Sequence, residues 1–311
     1  MCKNLCDLNL IERCGKIATD DNEISNGRAV QLLQLKRARF YSLLVINTVF
    51  EQSLNLCEYG NSQIIKFQSF KTDSATHLAS ICADFIAAHK DLKDKLITIV
   101  IATQASLEQG ENGIVFRDNV LQESNFNLSS MVFAKTSVRC FIYNYTLGHL
   151  LCLKYSPFTN VDHALALMCG EGSVAMGLFI NGEIILGPNH PFPECSALPF
   201  KYGFEKSLGS MGKHTKDAFL YALTVLAPIF KIYRVFISRS TFNDNLKLIH
   251  EVQLELQAQA SPVLKQIKLE YWDSETRNFM RELIYLSFDR LSEIIGPQPI
   301  KRDLTQILPQ T

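Results

Sequence analysis

Residues 40–56 (FYSLLVINTVFEQSLNL) form two apolar runs around a polar break, a pattern that predicts a strand, a turn and a second strand. Asp73 to Lys95 places Ala75, Leu78, Ile81, Cys82, Phe85 and Ile86 on one helical face, with Asp73 or Ser74 as N-cap. Leu96 to Ala102 is a continuous apolar run, suited to a buried strand. Gly110-Glu111-Asn112-Gly113 then turns the chain toward Ile114-Val115-Phe116. From Leu165 to Ala197, two apolar runs flank Asn181-Gly182. That dipeptide favours positive φ at both central residues of a type I′ turn, so the segment predicts a β-hairpin, with Gly170, Gly172 and Gly177 on its first arm. Beyond it the pattern predicts a helix over Phe219–Ile229 and a strand over Tyr233–Ile237. A helix over Phe242–Ala260, a strand over Ile267–Tyr271 and a helix over Thr276–Ile295 follow, the last stopped by Gly296-Pro297. Near the start, Leu8 to Arg13 is compatible with a short helix that Cys14-Gly15 ends. Strands and helices that alternate through two similar halves predict an α/β architecture.

Composition narrows the picture only in part. The 311 residues suffice for one bilobal domain or two domains. A formal net charge of zero leaves any nucleic-acid argument to local clusters. No apolar run approaches the ~18 residues of a membrane span, and Asp7 and Glu12 break the pattern of a secretory signal. The nine cysteines are odd in number and contain no CxxC, which predicts reduced thiols and a cytoplasmic setting. Cys140, Cys152 and Cys169 lie in apolar runs, as small core residues do.

The Leu165–Ala197 segment resembles the phosphate-loop hairpin of the ROK family (repressors, open reading frames and sugar kinases). In that family a Gly-rich strand, an Asn-Gly turn and a second strand lead to Gly-Glu-x-Gly-His. The resemblance runs over residues 8–295 and implies an actin-like, ribonuclease-H-like bilobal fold with a short N-terminal winged-helix remnant. The implied divisions are an arm over 1–36, a first lobe over 37–157, a second over 158–295, and a tail over 296–311. The helix about 276–295 would return to the first lobe. The resemblance also places a helix at Leu128–Lys135, a strand at Val138–Ile142 and a helix at Thr146–Tyr155.

Against the family pattern, the chemistry is altered at each step. The kinases' Asp-x-Gly-x-Thr turn, which positions Mg²⁺ and phosphate, falls at Asn47 to Glu51, where the Asp is an amide and the Gly is bulky. The strand that ends in Pro-Gly in the family here ends in Thr103-Gln104. The catalytic Asp falls at Tyr145, and a phenol with a reference pKa near 10 is a poor general base at neutral pH. The three phosphate-cradling glycines fall at Ser173, Ala175 and Gly177. Glu194 matches the family's sugar-binding Glu, but the His after it is Ala197 and the zinc loop is missing. The resemblance therefore implies no catalytic residue, no cofactor and no metal. It leaves Asn125, Asn144, Glu194 and Glu205 as candidate contacts to a sugar-like molecule, with Asn144 equally suited to cap the helix after it.

Leu8 to Arg13 resembles the tail of a repressor's recognition-helix unit, and Asp20 to Asn26 its wing turn. Arg13, Lys16, Arg28, Lys36, Arg37 and Arg39 are the candidate DNA contacts, and the earlier helices of such a unit have no room before Met1. An arm packed on a lobe or on a partner subunit is the equal alternative. The expectation is thus a non-catalytic, ROK-like regulator of carbohydrate metabolism and a homodimer, with weak DNA binding. A divergent sugar kinase and an interaction module without ligand are the alternatives.

Overall fold

The computed structural model describes residues 11–16, 31–35, 40–58, 63–108, 110–156, 161–170, 173–186, 198–209, 213–238, 246–272 and 279–287. The first described pair is an antiparallel hairpin of β1 (Ile11–Lys16) and β2 (Gln31–Leu35), with a bulge between Arg13 and Gly15. This corrects the helix expected up to Arg13. A helix of so few residues does not form alone in water, whereas a strand gains a full ladder from β2.

Next come β3 (Tyr41–Asn47), β4 (Gln52–Glu58) and β5 (Ile64–Ser69), then α1 (Ala75–Ala88), α2 (Lys90–Lys93) and β6 (Leu96–Thr103). Ser74 caps α1, its hydroxyl accepting from the His77 amide. A small antiparallel sheet follows, made of β7 (Ala105–Leu107), β8 (Ile114–Asp118) and β9 (Phe126–Asn127). The chain continues through α3 (Leu128–Thr136), β10 (Cys140–Asn144) and α4 (Tyr145–Lys154). The first large sheet has the order β10-β6-β3-β4-β5, with β3, β6 and β10 parallel.

The second half repeats this plan. It holds β11 (His163–Gly170), β12 (Ser173–Ile180), β13 (Glu183–Ile184), α5 (Phe204–Gly209), α6 (Thr215–Phe230) and β14 (Arg234–Ser238). It then adds α7 (Leu246–Ala258), α8 (Pro262–Gln266), β15 (Lys268–Trp272) and a final helix, α9, over 279–287. Its sheet has the order β15-β14-β11-β12-β13, again with a hairpin strand central and two parallel strands beside it. Two halves with one strand plan are the actin-like, ribonuclease-H-like architecture that the family resemblance implies.

The Asn181-Gly182 turn has φ of 53° and 75°, as a type I′ turn requires. The hairpin's first arm is not one strand, however. The chain reverses between Gly170 and Ser173, which face each other in the β11–β12 register, so the Asn181-Gly182 turn joins β12 to β13.

Helix α4 lies between the two sheets and is buried on both sides. Leu147 and Leu151 join Leu44, Ile46, Val100 and Phe141 of the first sheet, together with Phe279, Met280, Leu283 and Ile284 of α9. Leu150 and Leu153 join Ala164, Ala166, Phe179, Phe236 and Trp272 of the second. Such a helix is apolar all round because it has no solvent face. Its N-terminus carries Asn144-Tyr145.

Candidate functional site

The β3–β4 turn is the first element of the site. Asn47 is fully buried at the end of β3; its Nδ2 donates to Thr103 Oγ1 at 3.1 Å and to Asp118 Oδ2 at 3.3 Å. Its Oδ1 accepts from Gln52 Nε2 at 2.9 Å. Gln52 in turn clasps Thr72, donating to the carbonyl and accepting from the amide. Asp118, also buried, takes the Thr103 hydroxyl at 2.8 Å on one oxygen and the Val120 and Leu121 amides on the other. A carboxylate with four donors is held by the protein, so it is not offered to a ligand or metal.

The turn's backbone donors are also engaged. Thr48 Oγ1 accepts from the Phe50 amide at 3.3 Å and the Glu51 amide at 2.9 Å, and donates to the Glu51 carbonyl. The Val49 amide donates to Gln104 Oε1 at 3.2 Å. A phosphate loop works by aiming free amides at the anion; here the amides of Val49, Phe50 and Glu51 each have an internal acceptor. The outer surface of the turn is Val49 and Phe50, 60% and 52% exposed.

Tyr145 and Asn144 stand at the start of α4. Asn144 Oδ1 accepts from the Thr146 amide at 2.8 Å, and its Nδ2 donates to the Ala105 carbonyl at 2.9 Å. The side chain caps α4 and ties it to β7. Tyr145 packs its ring on His149 and Phe279, each with centroids 4.8 Å away. Burial, then the negative charge of Glu51, holds the phenol above its ordinary pKa. It stays protonated at neutral pH and can donate a hydrogen bond but not accept a proton. Glu51 receives the Ser53 hydroxyl at 2.5 Å, and Ser53 receives Asn55 Nδ2 at 2.9 Å.

The second phosphate loop of the family resemblance is altered as well. Ala175 and Gly177 pair with Met168 and Ala166 in the ladder of β12 with β11. A Cβ on Gly177 would meet Leu150 Cδ1 and Cδ2 at 2.4 Å. The glycine is therefore required by the close approach of α4 to β12, and Ala175 and Gly177, which align with the family's phosphate-cradling glycines, serve sheet and helix packing here.

Among the other expected site residues, Asn125 is exposed at φ 57° on the β8–β9 connection, its amide donating to the Phe116 carbonyl. Glu205 lies on α5, and Arg13 and Lys16 lie on β1. Glu194, Arg28, Lys36, Arg37 and Arg39 fall outside the described residues. Asn144 and the Asn47–Glu51 turn share one end of the first sheet through Glu51 and Tyr145. The supporting set of Thr48, Gln104, Thr103 and Asp118 was not expected to matter as a unit; the one sequence signal was Thr103-Gln104 in place of Pro-Gly. Among the described residues, burial pushes the thiols of Cys57, Cys82 and Cys152 up to about 12, and that of Cys140 well above its usual value. Among the described residues, no helix is long and apolar enough to cross a membrane.

No family model matches this chain, and no curated protein does. Solved structures do. A ROK family transcriptional regulator, a homologue of the E. coli MLC protein, superposes with a TM-score of 0.69 at 15% identity, over 95% of this chain and 90% of its own. A ROK family glucokinase from Streptomyces griseus, in complex with glucose and AMPPNP, gives 0.54 at 8% identity, over 79% and 98%. The ROK hexokinase from Thermus thermophilus gives 0.53 at 10% identity, over 82% and 99%. The fold is the one shared by ROK regulators and ROK sugar kinases.

Proposed function

We propose that this chain is a ROK-like regulator of carbohydrate metabolism without kinase activity, and that its cleft receives a sugar-type ligand. The observation that carries the reading is the Asn47–Glu51 turn, whose amides are closed by Thr48 and Gln104 and whose buried carboxylate neighbour, Asp118, is saturated by internal donors. Phosphoryl transfer needs positioned metal, free phosphate donors and a base together. The turn offers neither of the first two, and a protonated phenol replaces the third. The longer match to the regulator, 95% of the chain against 79% and 82% for the two kinases, supports the same choice. Asn125, Asn144, Glu194 and Glu205 are the proposed ligand contacts. The proposed divisions are an arm over 1–36, lobes over 37–157 and 158–295, and a tail over 296–311.

The test is calorimetric titration with Mg-ATP beside a thermal-shift panel of hexoses and amino sugars. We expect no heat at millimolar Mg-ATP and a rise in melting temperature with one class of sugar, as binding to the native state requires. Micromolar Mg-ATP affinity with sugar turnover would establish the kinase reading instead. No response to any sugar would leave an interaction module without ligand.

A further inference from the structure

The chain contains the Asn-Gly steps Asn26-Gly27, which lies outside the described residues, Asn112-Gly113 and Asn181-Gly182. Such a step is chemically weak, because a glycine has no side chain to keep its amide nitrogen from the carbonyl carbon of the preceding Asn side chain. The two described steps are built differently, and the difference decides which of them reacts.

At Asn181-Gly182 the nucleophile is occupied. The Gly182 amide donates to the Asp162 carbonyl at 3.0 Å, and the side-chain amide of Asn181 meets His163 Nε2 at 3.2 Å. At Asn112-Gly113, nothing among the described residues accepts from the Gly113 amide. Asn112 is exposed, although Gly113 is buried, so water reaches the side chain. Asn112 Nδ2 donates to Glu108 Oε1 at 2.8 Å, and a hydrogen bond in such an exposed place contributes little net stability. Ser129 Oγ lies 2.5 Å from the Glu111 carbonyl oxygen and 3.2 Å from that of Asn112, and shares its proton between them. Donation to the Asn112 carbonyl polarises the peptide group whose nitrogen belongs to Gly113, which makes that N–H more acidic. Nor can the fold dispense with this glycine. Its φ is 54°, and a Cβ would meet Ser129 Oγ at 2.5 Å. The turn therefore requires the residue that makes the step labile.

We propose that Asn112 is a site of spontaneous covalent modification, deamidating through a cyclic imide with Gly113. The Gly113 nitrogen gives its proton to water and bonds to Asn112 Cγ, while the Cγ–Nδ2 bond breaks and Nδ2 leaves as ammonia. Water then opens the imide at either carbonyl, leaving an aspartyl or an isoaspartyl linkage. The net change is amide plus water to carboxylate plus ammonium, with no redox partner. The product carboxylate ends the hydrogen bond to Glu108 and adds negative charge next to Glu111, which pairs with Arg139.

The experiment incubates the native full chain and the same chain unfolded in denaturant, side by side, in heavy-oxygen water at mildly alkaline pH. Peptide mass mapping then follows the label with time. In the native chain we expect conversion at Asn112 to outpace that at Asn181 by about fivefold or more, the factor that one engaged amide hydrogen bond supplies. In the unfolded chain the two rates should converge, because both steps join the same pair of residues. Asn112→Gln should remove the early acidic fraction seen on ion exchange and leave the circular dichroism unchanged. Native conversion at Asn181 as fast as at Asn112 overturns the proposal. So does a native chain unlabelled at Asn112 over a period in which the unfolded chain reacts. Should Asn112→Gln fail to fold, mapping of the unmodified chain decides alone.

Discussion

At the scale of single residues, the first turns of α4 are governed by burial. Replacing Tyr145 by Asp restores the carboxylate at the family's base position, yet the amides of Val49, Phe50 and Glu51 stay engaged. We therefore expect Tyr145→Asp to show no sugar phosphorylation in a coupled assay, and to lose about 1–3 kcal/mol of stability from a poorly solvated carboxylate. Turnover by this variant would mean that the turn opens for phosphate. One turn further along, His149 is half-buried among Tyr145, Phe279 and Trp272. Burial lowers its pKa to about 4. The unfolded chain, with an ordinary imidazole near 6.5, then binds more protons than the native one between these values. The native state is favoured above the upper value, and this contribution is lost as pH falls toward the lower. The loss amounts to about 3 kcal/mol. Denaturant titrations across that window should show the slope, and His149→Gln should flatten it.

Elements explain the glycines and show where sequence patterns carry information. Gly177→Ala drives a Cβ into Leu150, itself fully buried on α4, and should cost about 1–3 kcal/mol by overpacking. Adding Leu150→Ala should recover part of that loss, with a coupling of about 1 kcal/mol in a double-mutant cycle. Purely additive losses would place the strain elsewhere. Long periodic segments were legible: β3, α1 and β6 follow from apolar runs buried on one or both faces. So was the Asn181-Gly182 turn, because only a few residues accept its dihedrals. Strands that exist through their partner were not legible. Ile11–Lys16 looks helical in isolation and is a strand because β2 lies beside it, while exposed β5 has no burial pattern to betray it. The site was legible only as substitutions at Asn47, Glu51 and Tyr145. What those residues do depends on Thr103 and Asp118, 56 and 71 residues from Asn47, and no local pattern encodes such contacts.

For the molecule as a whole, charge decides what it can do with nucleic acid. A formal net charge of zero gives no general attraction to a polyanion, so binding must come from a local feature. The described candidate is the β1–β2 hairpin, which carries Arg13 and Lys16 on its first strand. Each neutralised phosphate contributes roughly −0.9 to the slope of log affinity against log salt. A few cations on one hairpin therefore predict a shallow slope of about −2 to −4 and an affinity that fades at physiological salt. Phosphate contacts position a protein without reading sequence, whereas discrimination needs several side chains on base edges. We expect anisotropy titrations of this chain to show nearly equal binding to random and candidate-operator duplexes, and Arg13→Ala to reduce the slope by about 1. Nanomolar, sequence-selective binding that survives moderate salt would contradict this, and would make the hairpin, or two of them in one dimer, a reader of bases.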